Sequence, residues 1–210
     1  SNQGMPELLD EIAHYLNKRF SLSYDGKSEI LVTFGASEAI DLALRAIISP
    51  GDEVLIVEPS YVSYTPCVTL AGGKAIPVPT YARDSFKLKV ETLQKVVTPR
   101  TKALILCYPN NPTGAIMKKE DWEPIVDFIR QHELLVIADE IYAELTYKGK
   151  HVSLASFPHM KEHTILISGF SKAFAMTGWR IGYIAAPAEL LKGMLKIHQY
   201  TALCAPIMSQ

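Results

Sequence analysis

Four short stretches of this sequence gather side chains able to attack a carbonyl, move a proton or hold an anion. Ser168-Gly169-Phe170-Ser171-Lys172 sets an amine among small and apolar neighbours, and Arg180 follows in Gly178-Trp179-Arg180. Such an amine is either a plain surface charge or a desolvated group with a depressed pKa, suited to Schiff-base chemistry. Asp139-Glu140, with Tyr142 close behind, ends an apolar run. A carboxylate at the buried end of a strand is costly without a partner, so one of these acids is expected to face a cationic group unless they merely begin a solvated loop. Tyr108-Pro109-Asn110-Asn111-Pro112-Thr113-Gly114 reads as a rigid turn that presents two side-chain amides, as a binding surface or as structure alone. Phe34-Gly35-Ala36-Ser37-Glu38 reads as small residues and a Ser N-cap opening a helix, either a plain capped helix or one whose free amides hold a phosphate.

The elements that must position these groups follow from the apolar pattern. Continuous runs rich in Val, Ile and Leu span 30–33, 53–57, 75–78, 102–107, 134–138, 164–167 and 181–185. Runs without alternation suit strands covered on both faces. Helix-period segments lie between most of them: 37–48 with Ile40, Leu44 and Ile47 on one face, 61–70, and 118–131 with Trp122, Ile125, Val126 and Ile129. Two further helices are expected at 6–20, with Pro6 in its first turn, and at 188–203. Strand alternating with helix predicts an α/β fold, a mostly parallel, doubly wound sheet in one domain. In such sheets ligands sit beyond the carboxyl ends of the strands, where all four stretches fall. A phosphate cradle, a carboxylate, an amine and a guanidinium along one edge match a phosphorylated, carbonyl-bearing cofactor with a basic ring nitrogen.

Composition narrows the alternatives. The 210 residues are 48% hydrophobic and 20% charged, an ordinary globular balance. The net charge of -1 supplies no field for nucleic acid or an anionic membrane, so a small-molecule ligand is expected. No GxxxxGK and no GxGxxG after a strand appears, which removes the P-loop and dinucleotide readings. Cys67, Cys107 and Cys204 are odd in number and far apart, in keeping with a reducing, cytoplasmic setting and no metal site. His159 and His163 would chelate a metal only if helical, and nothing completes a ligand set. Cys107, Tyr64 and Tyr81 are expected to be packing. Every apolar run stops short of the ~18 residues of a membrane helix, and no export signal is visible. The opening Ser1-Asn2 without Met reads as the scar of a cleaved tag, and the stop soon after a helical pattern reads as excision from a longer chain.

Tyr108 to Gly114 (YPNNPTG), Ala138 to Tyr142 (ADEIY) and Ser168 to Gly182 (SGFSKAFAMTGWRIG) together resemble the signature blocks of the class I/II aminotransferases, fold type I pyridoxal-phosphate enzymes. The lysine block, with Arg eight residues beyond Lys, is the specific one, and the resemblance runs in the family's order from about Gly4 to the end of the chain. It implies the large cofactor-binding domain, three-layered α/β/α. It further implies that Lys172 bonds the cofactor and moves the proton at the substrate α-carbon, and that Asp139 pairs with the pyridinium nitrogen. Tyr142 and Asn111 would hydrogen-bond the phenolic oxygen, and Ser168, Arg180 and the amides near Ala36 and Ser37 would hold the phosphate. Tyr61 would stack on the ring; the family varies at Asn110.

The resemblance also implies what lies elsewhere. Family members are roughly twice this length, with a small domain that clamps the substrate carboxylate and a tyrosine, preceding the region that opens here at Asn2, that reaches into a partner's site. The expected activity is amino transfer between an amino acid and a 2-oxo acid by a homodimer, with these residues as its cofactor-binding part and inactive alone. The rivals are a carbon-sulfur lyase using the same Lys and Asp, and an aminotransferase-like sensor domain of a transcription regulator. The latter requires a basic DNA-binding domain, which this near-neutral chain does not show.

Overall fold

The structure, a computed structural model, describes residues 2–210. In chain order the helices and strands are α1 (Pro6–Phe20), β1 (Ile30–Thr33), α2 (Gly35–Ile47), β2 (Glu53–Glu58), α3 (Tyr64–Leu70), β3 (Lys74–Pro79), α4 (Val90–Gln94), β4 (Thr101–Cys107), α5 (Lys119–Gln131), β5 (Leu135–Asp139), β6 (Thr164–Gly169), α6 (Phe170–Ala173), β7 (Gly182–Ala185) and α7 (Ala188–Thr201). The strands form one sheet in the order β1-β7-β6-β5-β4-β2-β3. β3, β2, β4, β5 and β6 pair in parallel, while β7 runs antiparallel to both β6 and β1. The expected α/β sheet is therefore present, with one reversed strand between β6 and β1.

Both faces of the sheet are covered, which is why its strands read as unbroken apolar runs. Ile105, Ile137, Ile165 and Ile184 pack with Ile40 and Leu44 of α2, Val68 of α3 and Met194 of α7. Residues one step along the same strands, such as Leu104, Leu106, Val136 and Ala138, pack with Trp122, Ile125 and Ile129 of α5. α1 completes that second face beside β1 and β7, through Leu9, Ile12 and Leu16 against Ile30, Val32 and Tyr183. Period-two alternation therefore assigns Ile137 and Asp139 to the α2 side and Ala138 and Glu140 to the opposite side.

Three helix boundaries differ from the sequence reading by two residues or more. α2 opens at Gly35, two residues before the expected Ser37 cap. Phe34 holds the cap position, and its N–H donates to Glu38 Oε2 at 2.6 Å, so Glu38 supplies the capping oxygen and Ser37 lies inside the first turn. α3 starts at Tyr64 because Tyr61 to Ser63 form a turn closed by the Tyr64 N–H on Tyr61 O at 3.2 Å. α7 ends at Thr201, where Leu203 turns into the left-handed region with φ 68° and its N–H returns to His198 O at 3.0 Å.

Candidate active site

The carboxyl ends of β4, β5 and β6 and the start of α2 surround a cavity of about 190 Å³. Its lining includes Ala36, Ser37, Tyr61, Asn111, Asp139, Tyr142, Lys172 and Arg180. At one end the backbone itself is cut to fit. Gly35 has φ +69°, and a Cβ there would stand 2.7 Å from Arg180 Nη2, so only glycine lets the guanidinium lie against the helix start. Gly182 is as tight, since its Cβ would meet Gly35 C at 2.5 Å and Ala36 N at 2.6 Å. A guanidinium and the unpaired amides of a 13-residue helix thus share one corner, a site for an anion. Arg180 also donates from Nη1 to Thr177 O at 3.1 Å.

Asp139 lines the same cavity and is 4% exposed. Its Oδ2 accepts from the Tyr64 hydroxyl at 2.7 Å, and its Oδ1 from the Ile141 N–H at 3.2 Å. Burial pushes its carboxyl up to about 6, with the neighbouring Glu140 acting in the same direction, while the Tyr64 and Ile141 donors pull it down. Burial and the Asp139 charge hold the Tyr64 phenol well above its usual range, so it remains a donor. Cys107 lines the cavity beside them, its thiol also pushed up by burial and therefore inert as a nucleophile.

Asn111 Nδ2 donates to the Tyr142 hydroxyl at 3.4 Å, and both residues line the cavity. Lys172 Nζ lies 5.7 Å from the centroid of the Tyr142 ring. Tyr61 stands edge-on to Tyr64, with ring centroids 5.7 Å apart. The cavity therefore combines an anion cradle, an amine, two hydrogen-bonding groups and a buried carboxylate.

Eight of the nine site residues expected from sequence line this one cavity. Ser168 does not: its hydroxyl donates to Glu140 O at 3.5 Å, and Ser171 and Thr177 line the cavity from the same segment. Of the two alternatives for Lys172, desolvated amine or exposed charge, the structure has the exposed one: the segment carrying it stands at the rim, where Lys172, Phe174 and Trp179 are exposed. The cationic partner in the site expected for one of the two acids is not found: Asp139 accepts from a neutral hydroxyl, and Glu140, on the other side of the sheet, lies 2.7 Å from His151 Nε2. Tyr64, assigned to packing, is the residue missed. Its spacing of three from Tyr61 at the end of a strand was the available signal. His159 and His163 do not share an α-helix, since His159 has φ 63° and only a short 3-10 turn, Lys161–His163, follows.

Comparison with known proteins agrees with this geometry. The chain belongs to the family described as aminotransferase class I and II, which it matches over residues 1–209. It is 48% identical over 204 residues to an aspartate aminotransferase of Pyrococcus abyssi, a match covering 97% of this chain and 52% of that protein. It is 45% identical over 204 residues to aromatic-amino-acid aminotransferase 2 of Thermococcus litoralis, again over 97% of this chain and 52% of the relative. The crystal structure of an aromatic aminotransferase from Pyrococcus horikoshii superposes with a TM-score of 0.95 at 48% identity, covering 97% of this chain and 55% of that one. The chain thus spans about half the length of the curated relatives it matches. Among the described residues, no helix is long and apolar enough to cross a membrane.

Proposed function

We propose that residues 1–210 are the cofactor-binding domain of a pyridoxal-phosphate-dependent aminotransferase that moves an amino group between an amino acid and a 2-oxo acid. The observation that carries this reading is one cavity lined by three kinds of group: Arg180 against the amides at the start of α2, the buried carboxylate of Asp139, and the amine of Lys172. Pyridoxal phosphate matches that set of groups and, when bound, supplies an electrophilic aldehyde and a ring that withdraws electrons from the reacting carbon. Arg180 and the amides near Ala36 and Ser37 would hold the phosphate, with the guanidinium offering two parallel N–H donors. Asp139, steadied by Tyr64, would hold the proton on the ring nitrogen. Asn111 and Tyr142 would donate to the phenolic oxygen, and Tyr61 would cover a ring face.

Lys172 would supply the amine that holds the cofactor, and that amine would take and return the proton at the substrate α-carbon. Its exposure at the rim leaves it within reach of an incoming amino acid. The reading includes a cytoplasmic homodimer, consistent with unpaired cysteines and with exposed apolar side chains at Tyr200, Leu203, Ile207 and Met208. The test is an absorbance titration with pyridoxal phosphate, then borohydride reduction and peptide mapping. The adduct is expected on Lys172 and absent from Lys172→Ala; a label spread over other lysines would count against the assignment.

A further inference from the structure

Past Asp139 the chain keeps its extended course for one more residue, because the Glu140 N–H donates to Ile167 O at 2.8 Å. Glu140 therefore projects to the side of the sheet opposite Asp139, away from the cavity. It is buried there, 5% exposed. Its Oε2 lies 2.7 Å from His151 Nε2, and its Oε1 accepts from Ser153 Oγ at 2.8 Å. The His151 side chain is itself 7% exposed and stands edge-on to the Phe20 ring of α1. None of the steps assigned to the site uses this cluster.

Two carboxylates on consecutive residues, both out of water, resist joint ionisation unless a counter-charge is near. The proposed function nevertheless requires Asp139 as an anion. On its own face, Asp139 meets the Tyr64 hydroxyl, the Cys107 thiol and the Ile141 amide, and it shares the cavity lining with Lys172 and Arg180. On the other face Glu140 meets His151 and Ser153, with the Tyr24 and Tyr183 phenols within electrostatic range. Glu144, near His151, is already held by the Tyr15 hydroxyl and by Arg19. Of the groups in contact with Glu140, His151 alone can carry a positive charge.

We propose that His151 is a positioning residue: as the imidazolium against Glu140 it cancels the second carboxylate behind the site, which leaves Asp139 free to be the anion that faces the cavity. The functional consequence rests on the reading of Asp139 as the partner of a ring nitrogen, whereas the charge arrangement is testable without any cofactor.

The measurement is a pH titration of carboxyl 13C signals in the cofactor-free chain, for wild type, His151→Asn, Glu140→Gln and the double variant. Removing His151 is expected to move the last deprotonation of the Asp139 and Glu140 pair upward by ~1 pH unit, and Glu140→Gln to move Asp139 downward by a similar amount. The double variant should follow Glu140→Gln. Loosened packing would shift both single variants the same way, and that result would overturn the proposal. Should His151→Asn not fold, the wild-type His151 ring 15N shifts decide: two protonated nitrogens at pH 7 support it and one overturns it. Pyridoxal phosphate added afterwards separates the two readings. Opposite shifts without cofactor uptake support the role of His151 and overturn the proposed function; uptake without the shifts does the reverse.

Discussion

The Tyr64 hydroxyl donates to Asp139 Oδ2 across 2.7 Å, joining the first turn of α3 to the end of β5 over a separation of 75 residues. Both side chains are buried, Tyr64 to 1% exposure and Asp139 to 4%. Tyr64→Phe leaves the Ile141 amide as the remaining hydrogen-bond donor to Asp139. An unsatisfied buried acceptor costs about 1–3 kcal/mol, more when charged. The expected result in urea denaturation is a loss of about 2 kcal/mol at pH 8, where Asp139 is ionised, and a smaller loss at pH 5. Equal losses at both pH values would show that the bond does not discriminate between the two charge states.

The raised carboxyl of Asp139 also gives the cofactor-free chain a pH signature. Its value moves from 3.8 to about 6, chiefly through burial, so between those limits the folded state holds a proton that the unfolded chain has released. Stability from this group is fully present below pH 3.8 and is lost as pH rises through about 6. The change is on the order of 3 kcal/mol, spread over about pH 4 to 6, with other carboxylates superimposed on it. Subtracting the Asp139→Asn profile isolates it. A difference profile that is flat between pH 4 and 7 would mean that Asp139 titrates as an ordinary surface acid.

Gly182 should tolerate no side chain. Its would-be Cβ meets backbone atoms, Gly35 C at 2.5 Å and Ala36 N at 2.6 Å, which cannot rotate away as a side chain would. Gly182→Ala must therefore push β7 from the start of α2, an overpacking cost of about 3 kcal/mol. It should also open the anion corner. Thermal unfolding measures the first effect, and the phosphate dependence of the melting temperature measures the second. A variant with wild-type values in both would show that β7 and α2 slide past each other without cost.

The alternation of strand and helix was legible because every strand except the edge strand β3 is closely covered, which writes itself as continuous apolar runs. Asp139 was legible for a related reason, since a polar group directly after a buried run lies at a strand end; Arg180 was legible by its spacing of eight from Lys172. The reversal of β7 was not, since the connection through α6 and the apolar run that follows carry no mark of strand direction. Tyr64 was hidden by its distance in sequence from Asp139, a contact made only once α3 packs on the sheet. The Glu140–His151 pair was hidden differently. His151 comes from an irregular segment without periodicity, and nothing local says that its ring turns back beneath β5.

The last prediction separates charge from geometry at the anion corner. Arg180 has φ 55°, a left-handed conformation uncommon for a side chain of its kind, and it leans on Gly35, where no Cβ intervenes. That posture aims a planar fork at the start of α2, whereas lysine would bring the same charge as a single point. Arg180→Lys should therefore weaken pyridoxal phosphate by ~10- to 100-fold, or about 1.4 to 2.8 kcal/mol, the order expected for losing one charge-assisted hydrogen bond. Pyridoxal, which lacks the phosphate, should bind both proteins alike. Absorbance titrations of the two ligands against both proteins read the difference directly. If Arg180→Lys weakens pyridoxal as much as its phosphate ester, the guanidinium acts on the ring or on the fold, and the anion at the α2 amides is held by other groups.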